Sequence, residues 1–148
     1  MTNETNDYEW IMSSQWLRLL RVLPFLILST ISFYVAAGTS SLRKPFYLDL
    51  NLSPAARIDS LGKVEHWKAT ALVFALAWLA VGNRRLLLAF GLTIGVGLGW
   101  EFLEATAVGH TGRLSDLAPD LMAALCSLFL AFALRRWLCQ RSESEAQT

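Results

Sequence analysis

The chain has 148 residues, of which 54% are hydrophobic and 17% are charged, and its formal net charge at pH 7 is +1. Soluble domains carry about a quarter charged residues, so this sequence is unusually apolar. The balanced charge and the absence of a basic stripe argue against nucleic-acid binding, and no nucleic-acid partner is predicted.

The apolar residues are clustered rather than dispersed. They form four runs: Pro24–Ala37, Ala69–Val81, Leu86–Trp100 and Leu121–Leu138. Each run, with part of its flanks, approaches the roughly 20 residues that a helix needs to cross a bilayer core of about 30 Å. The alternative is a soluble helical bundle, but a chain this short buries too little surface to hide four helices that are apolar on every side. We therefore predict an all-α fold, an integral membrane bundle of four transmembrane helices.

In chain order, a polar segment at residues 1–17 comes first, and we expect it to be disordered or to lie on the membrane surface. Span 1 follows at residues 18–37. Its basic start, apolar middle and small-residue end also suit a signal peptide, but the long polar segment before it favours a retained span. The next segment, from Gly38 to Gly62, is rich in Gly, Ser and Pro and is predicted to be a long loop.

The remaining predicted spans cover residues 66–82, 85–104 and 116–138, and a polar tail follows at 139–148. Gly82 suits the end of span 2. Ser115 is a suitable N-cap for span 4. Pro119 is tolerated in the first turn of that helix, where backbone amides lack helical partners.

Lysine and arginine residues set the predicted orientation. Seven lie on the side that holds both termini and the loop between spans 2 and 3: Arg18, Arg21, Arg84, Arg85, Arg135, Arg136 and Arg141. Six lie on the opposite side: Arg43, Lys44, Arg57, Lys63, Lys68 and Arg113. The numbers are close, but the first set clusters tightly beside span ends. We therefore place both termini in the cytoplasm.

Polar residues converge at the outward end of the predicted bundle. Antiparallel spans bring together the start of span 2, the end of span 3 and the start of span 4, which carry Lys63, Glu65, His66, Glu101, Glu104, Arg113, Asp116 and Asp120. The two glutamates are three residues apart and the two aspartates four apart, so each pair shares a helix face. A lone charge at a span end often only meets water. Two same-face acidic pairs beside a Lys–His turn favour a shared functional site instead.

Roles within this site follow from side-chain chemistry. The unperturbed pKa of histidine lies near neutrality, so His66 is the candidate acid or base, and Glu101 and Asp116 complete the candidate catalytic set. Lys63 and Arg113 can hold a phosphate group, and we group them with Glu104 and Asp120 as candidate substrate-binding residues. Loss of an envelope phenotype on mutation of His66 or Glu101 would support these roles.

No cofactor is predicted, because no spacing in the chain is diagnostic of one. A divalent metal is the less favoured alternative: the four carboxylates with His66 offer oxygen ligands for Mg²⁺ or Mn²⁺, and Zn²⁺ if the imidazole takes part. Gly91, Gly95 and Gly99 form a small-residue stripe that allows a neighbouring helix to approach closely. We interpret the stripe as a helix-packing surface, and a homo-oligomer contact through it is the alternative.

The ordered pattern Lys63-x-x-His66, Glu101-x-x-Glu104 and Arg113-x-x-Asp116-x-x-x-Asp120 resembles the VanZ-like family of small bacterial membrane proteins, over residues 60–138. The family commonly has Gln in place of Glu104 and Asn in place of Asp120, so this chain carries extra negative charge at both positions.

The founding member of that family is associated with resistance to the glycopeptide antibiotic teicoplanin. The resemblance therefore implies an envelope role in the bacterial inner membrane, by binding or acting on an envelope lipid or lipid-linked glycan. It implies no particular reaction. The alternative is a non-enzymatic membrane subunit or small transporter, in which Lys63 and Arg113 pair with Glu101 and Asp116 and lock the helices together.

Overall fold

A computed structural model describes the protein over residues 4–38 and 42–145. This part of the chain contains five α-helices and one short parallel strand pair. The helices are α1 (Glu4–Ala36), α2 (Pro54–Leu61), α3 (Val64–Val81), α4 (Leu86–Glu104) and α5 (Leu117–Glu145). The strands are β1 (Leu48–Asp49) and β2 (Gly112–Arg113), and a single 3-10 turn at Leu114–Asp116 leads into α5.

Helices α1, α3, α4 and α5 are each long and apolar enough to cross a membrane. Only 17% to 33% of the apolar stretch of each helix is buried inside the protein, so most of these side chains face outward. Leu87 and Phe129, for example, are 70% and 69% exposed. A surface this apolar is favourable in lipid and unfavourable in water. The prediction of an all-α, multi-pass membrane bundle is confirmed.

The terminal helices are longer than predicted. The first helix begins at Glu4 rather than near Arg18, so the described part of the polar N-terminal segment continues span 1 as helix. The last helix likewise continues through the predicted polar tail to Glu145. Ser115 lies inside the 3-10 turn and not at the helix start, so its predicted capping role is wrong. Pro119 lies in the first turn of α5, as expected.

Helix α3 is the centre of the bundle and packs against α1, α4 and α5. A cluster of buried apolar side chains fills the end of the bundle near the α3–α4 turn: Phe25, Val73, Phe74, Ala77, Leu86, Ala89, Leu128 and Ala131. The turn itself begins at Gly82, which has φ +81° and stops α3 as predicted. Apolar packing dominates this end of the bundle, with a hydrogen bond from the indole of Trp78 to Asn83 at the turn, and the buried carboxylates lie at the other end.

The segment from Gly38 to Gly62 is more structured than the predicted loop. Pro54 opens α2, and the Ser53 side chain caps the helix by accepting from the amide of Ala56. This combination of a serine cap and a proline in the first turn is a favourable helix start. The sequence therefore contained a signal for α2 that its Gly, Ser and Pro content obscured.

The same segment is fastened to the connection between α4 and α5. Strand β1 pairs with β2, and Arg43 forms a bridge with Ala107. The amide of Lys44 donates to the carbonyl of Thr106 at 3.1 Å, and the amide of Tyr47 donates to the carbonyl of Ala105 at 3.0 Å. These bonds tie together two connections that are far apart in sequence.

Gly112 allows this fastening because it passes directly over the end of α4. A Cβ atom at this position would overlap the carbonyl oxygen of Glu101 and lie 3.0 Å from the amide nitrogen of Ala105. Both neighbours are backbone atoms of a helix and cannot easily move. A side chain of any size is therefore excluded here.

Gly112→Ala is expected to destabilise the protein by about 1–3 kcal/mol, the usual cost of overpacking a closely packed site. Thermal unfolding in detergent micelles measures this effect. Gly91→Ala is the matched control, because no atom lies within 4 Å of a Cβ built at that position. Equal melting temperatures for the two variants would contradict the close approach described here.

Candidate functional site

The polar residues predicted from three separate segments lie together at one end of the bundle. The end of α2 and the start of α3 supply one wall, the last turn of α4 a second, and the 3-10 turn with the first turn of α5 a third. Three carboxylates lie inside this cluster, which we call the polar site: Glu101 is 2% exposed, Asp116 5% and Asp120 6%. Buried charges require partners within the protein, and each of the three has at least one.

Asp116 connects the 3-10 turn before α5 to α2 and to the residue before α3. The hydroxyl of Ser60 donates to Oδ1 at 2.7 Å, and the ammonium group of Lys63 donates to Oδ2 at 2.6 Å. The Lys63 side chain is 35% exposed, so its charge lies at the border between the site and the solvent. Both oxygens of this aspartate are thus held by residues about 55 positions earlier in the chain.

Asp120 lies one turn further into the bundle and bonds to α3. Its Oδ1 accepts from the hydroxyl of Thr70 at 2.6 Å and lies 3.2 Å from Nδ1 of His66. A carboxylate only accepts hydrogen bonds, so Nδ1 carries the proton in this contact and Nε2 is the remaining ring nitrogen. Gly97 of α4 makes room for the carboxylate, since a Cβ there would lie 3.0 Å from Oδ2.

Glu101 is the most deeply buried carboxylate of the three. The backbone amide of Arg113 donates to its Oε2 at 2.7 Å, and this bond depends on the close passage of Gly112 over α4. One ligand atom each from His66, Glu101 and Asp116 lie within 4.8 Å of one another. The three residues predicted to be catalytic are therefore brought together.

The predicted substrate-binding residues are placed less uniformly. Lys63 and Asp120 belong to the polar site. Glu104 lies at its edge, where its Oε1 accepts from the indole of Trp100 at 2.9 Å and is 3.5 Å from Nδ1 of His110. Arg113 contributes its backbone amide, while its side chain is exposed and makes no ion pair with any described residue. The helix-locking alternative paired Arg113 with an acid, whereas the structure pairs Lys63 with Asp116.

An apolar cavity of about 210 Å³ adjoins the polar site. His66 and Asp120 line both spaces. Apolar side chains from α3 and α4 form most of the remaining wall: Ala69, Val73, Val96 and Trp100. The charged cluster is therefore continuous with an apolar cavity between the spans.

Two partners in the polar site were not assigned a role from the sequence. Ser60 belongs to α2, the helix that the sequence analysis treated as loop, so its contact with Asp116 could not be expected. Thr70 shares a face of α3 with Lys63 and His66, and this helical spacing was the available signal. Threonine in an apolar span is common enough that the spacing alone did not identify it.

The glycine stripe divides into two parts. A Cβ at Gly99 would lie 2.8 Å from the ring of Phe33, so this glycine serves packing between α4 and α1. Gly91 and Gly95 have no atom within 4 Å of such a Cβ and line an outer groove between the same helices. Contact with a second copy through that groove stays a prediction.

Models of known protein families, the curated proteins and the solved structures give no significant match to this chain. The resemblance to the VanZ-like family therefore stays a prediction that depends on the residue pattern. What the chain can do has to be argued from the site itself.

The site brings together a protonated amine, an imidazole oriented by a carboxylate, and two further buried carboxylates. An oriented imidazole with one free nitrogen is the arrangement of a general base or acid, and also that of a metal ligand. An ammonium group at the rim is suited to binding an anion.

Lys63→Met is expected to lower the free energy of unfolding by about 1–3 kcal/mol, because it leaves the buried Asp116 without its cation. Lys68→Met is the matched control: its partner Glu65 is exposed, and the pair lies one turn along the same helix. Exposed pairs contribute about 0–1 kcal/mol. Chemical or thermal unfolding in one detergent compares the two, and similar losses would contradict the assignment of Lys63 to a buried network.

Proposed function

We propose that this protein binds the phosphate-bearing or glycan head group of an envelope lipid at the outer face of a bacterial inner membrane, as a VanZ-like membrane protein. The observation that carries this proposal is the joining of a charged cluster to an apolar cavity through His66 and Asp120. A ligand that fits both spaces is an amphiphile, with a polar head at the mouth and an apolar portion between the helices.

The charges at the mouth favour an anionic head group. Lys63 lies at the rim with its ammonium group partly in solvent, and the exposed side chain of Arg113 follows Gly112 on the same side. An ammonium group and a guanidinium group are the side chains that bind phosphate oxygens most readily. His66 lies deeper, where its free nitrogen can exchange a proton with the bound group.

The orientation rests on the distribution of arginines. The clusters Arg84–Arg85 and Arg135–Arg136 lie at the end of the bundle opposite the polar site. Positive clusters beside spans favour the cytoplasm, and this supports an orientation with the polar site outside and both termini inside. The variant Asp59→Cys, in a background without Cys126 and Cys139, carries a single cysteine at an exposed position of α2. If this orientation holds, that cysteine should react with a membrane-impermeant maleimide in intact cells.

A second candidate function is favoured by the hydrogen bonds to Asp116 and Asp120, because they connect α2 and α3 to the start of the last span. Their donors are Ser60, Lys63, His66 and Thr70. In a non-enzymatic membrane subunit these bonds would serve only to lock the bundle. Exchange of the charges, Lys63→Asp with Asp116→Lys, separates the two functions. If the protein is only a scaffold, the exchanged variant should still complement a deletion strain. If the site binds an anion through Lys63, the exchanged variant should fail to complement it.

A strain that lacks the protein is expected to show altered envelope lipids or lipid-linked precursors, and His66→Ala is expected to behave like the deletion. Mass spectrometry of lipid extracts and of cell-wall precursors measures both. The physical reason is that His66 is the one imidazole of the polar site and Asp120 fixes its orientation.

Asp59→Asn is the control for that experiment, because Asp59 is next to Ser60 in sequence but is exposed and does not line the cavity. Immunoblotting of membrane fractions establishes equal amounts of each variant. Full complementation by His66→Ala at equal abundance would overturn the proposed function.

A further inference from the structure

The three buried carboxylates of the polar site carry more negative charge than their protein partners offset. Glu101, Asp116 and Asp120 are each at most 6% exposed. Within the described part of the chain, Lys63 is the one lysine or arginine that forms an ion pair with any of them. Counted as fully ionised, three carboxylates and one ammonium group carry a charge of −2, which a proton on His66, a proton on a carboxylate or a bound cation offsets.

The position of Glu101 increases this demand. It lies in the last turn of α4, where the backbone carbonyls carry partial negative charge and disfavour an acid. Its Oε2 accepts the amide of Arg113, but its Oε1 accepts no hydrogen bond from any residue between 4 and 38 or between 42 and 145. This second oxygen is therefore available to a ligand.

The neighbouring histidine is already arranged as a metal ligand. Metal-binding histidines commonly donate their other ring proton to a carboxylate, which fixes the ring and its tautomer. His66 has this contact through Nδ1 and Asp120, and Thr70 holds the same carboxylate oxygen. Nε2 is then the nitrogen with a free lone pair.

We propose that His66, Glu101 and Asp116 bind one divalent transition-metal ion. Their ligand atoms lie within 4.8 Å of one another, and metal bonds of about 2.0–2.2 Å require two ligands of one ion to lie no more than about 4.4 Å apart, so small side-chain rotations close the site. The hydrogen bonds from Ser60 and Lys63 do not prevent this, because each carboxylate oxygen has a second lone pair. A divalent ion also brings the net charge of the cluster to zero.

The ligand set defines the metal class. One imidazole and two carboxylates suit Zn²⁺ or Mn²⁺ better than Mg²⁺, which prefers oxygen ligands and keeps several waters, and Zn²⁺ binds such mixed sites more tightly than Mn²⁺. Three protein ligands leave a coordination position for water or for a phosphate oxygen, as in catalytic zinc sites. The metal site shares residues with the proposed head-group site but does not depend on it, since metal binding needs no lipid.

The test uses the full chain purified in detergent with a tag other than polyhistidine, stripped with EDTA and then dialysed against Zn²⁺ or Mn²⁺. Elemental analysis after removal of free metal is expected to find one equivalent of Zn²⁺ per chain and weaker retention of Mn²⁺. A rise in the melting temperature on addition of Zn²⁺ is expected in parallel.

Glu101→Gln is expected to lose the bound ion and the metal-dependent shift in melting temperature, while Asp59→Asn, at an exposed carboxylate, is expected to keep both. His66→Gln is the second test variant, in case removal of one charge perturbs folding, and the melting temperature in EDTA reports folding for each. The inference would be overturned if the parent protein held no stoichiometric metal. It would also be overturned if folded Glu101→Gln and His66→Gln retained as much Zn²⁺ as the parent. Either result would leave the lipid experiment with His66→Ala unaffected.

Discussion

Two aspartates one turn apart, Asp116 in the 3-10 turn and Asp120 in the first turn of α5, hold the polar end of this bundle together. Asp116 accepts hydrogen bonds from Ser60 and Lys63, and Asp120 accepts them from His66 and Thr70. Because both aspartates are buried, these partners are required and not incidental. The bonds join segments about 50–56 residues apart, so α2, α3 and α5 must be in register before the polar end can form.

The two ends of the bundle are thus stabilised by different kinds of interaction. Near the α3–α4 turn, apolar side chains such as Phe74 and Ala77 pack without polar contacts. At the other end, hydrogen bonds and one ion pair replace that packing, and an apolar cavity separates the two regions. A buried cluster of charged side chains contributes little to stability compared with apolar packing. Its presence at the polar end therefore favours a functional role for that end.

The sequence contained most of what determines the spans and the position of the site. Long apolar runs predict membrane helices because the bilayer core sets their length, and antiparallel order alone brings His66, Glu101 and Asp116 to one end. The details that escaped prediction depend on tertiary contacts. Helix α2 lies in a segment whose composition suits a loop, and it supplies Ser60.

Arg113 shows a second limit of sequence reasoning. Its charged side chain suggested an ion pair with an acid, yet its backbone amide makes the important contact, with Glu101. No residue pattern distinguishes these roles, because backbone contacts are common to all residue types. The close passage of Gly112 that delivers this amide is likewise visible only in three dimensions.

The central claim is that α3 and α5 meet through a partly buried histidine–aspartate contact in the membrane, and solid-state NMR in lipid bilayers tests it most directly. The chain has two histidines, so His110→Gln leaves His66 as the single ¹⁵N-imidazole signal. With ¹³C-labelled aspartate, the account predicts strong dipolar dephasing of Nδ1 by a carboxylate carbon, consistent with the 3.2 Å contact to Asp120, and its loss in Asp120→Ala. An imidazole signal without dephasing, in a protein that is folded and inserted, would contradict it.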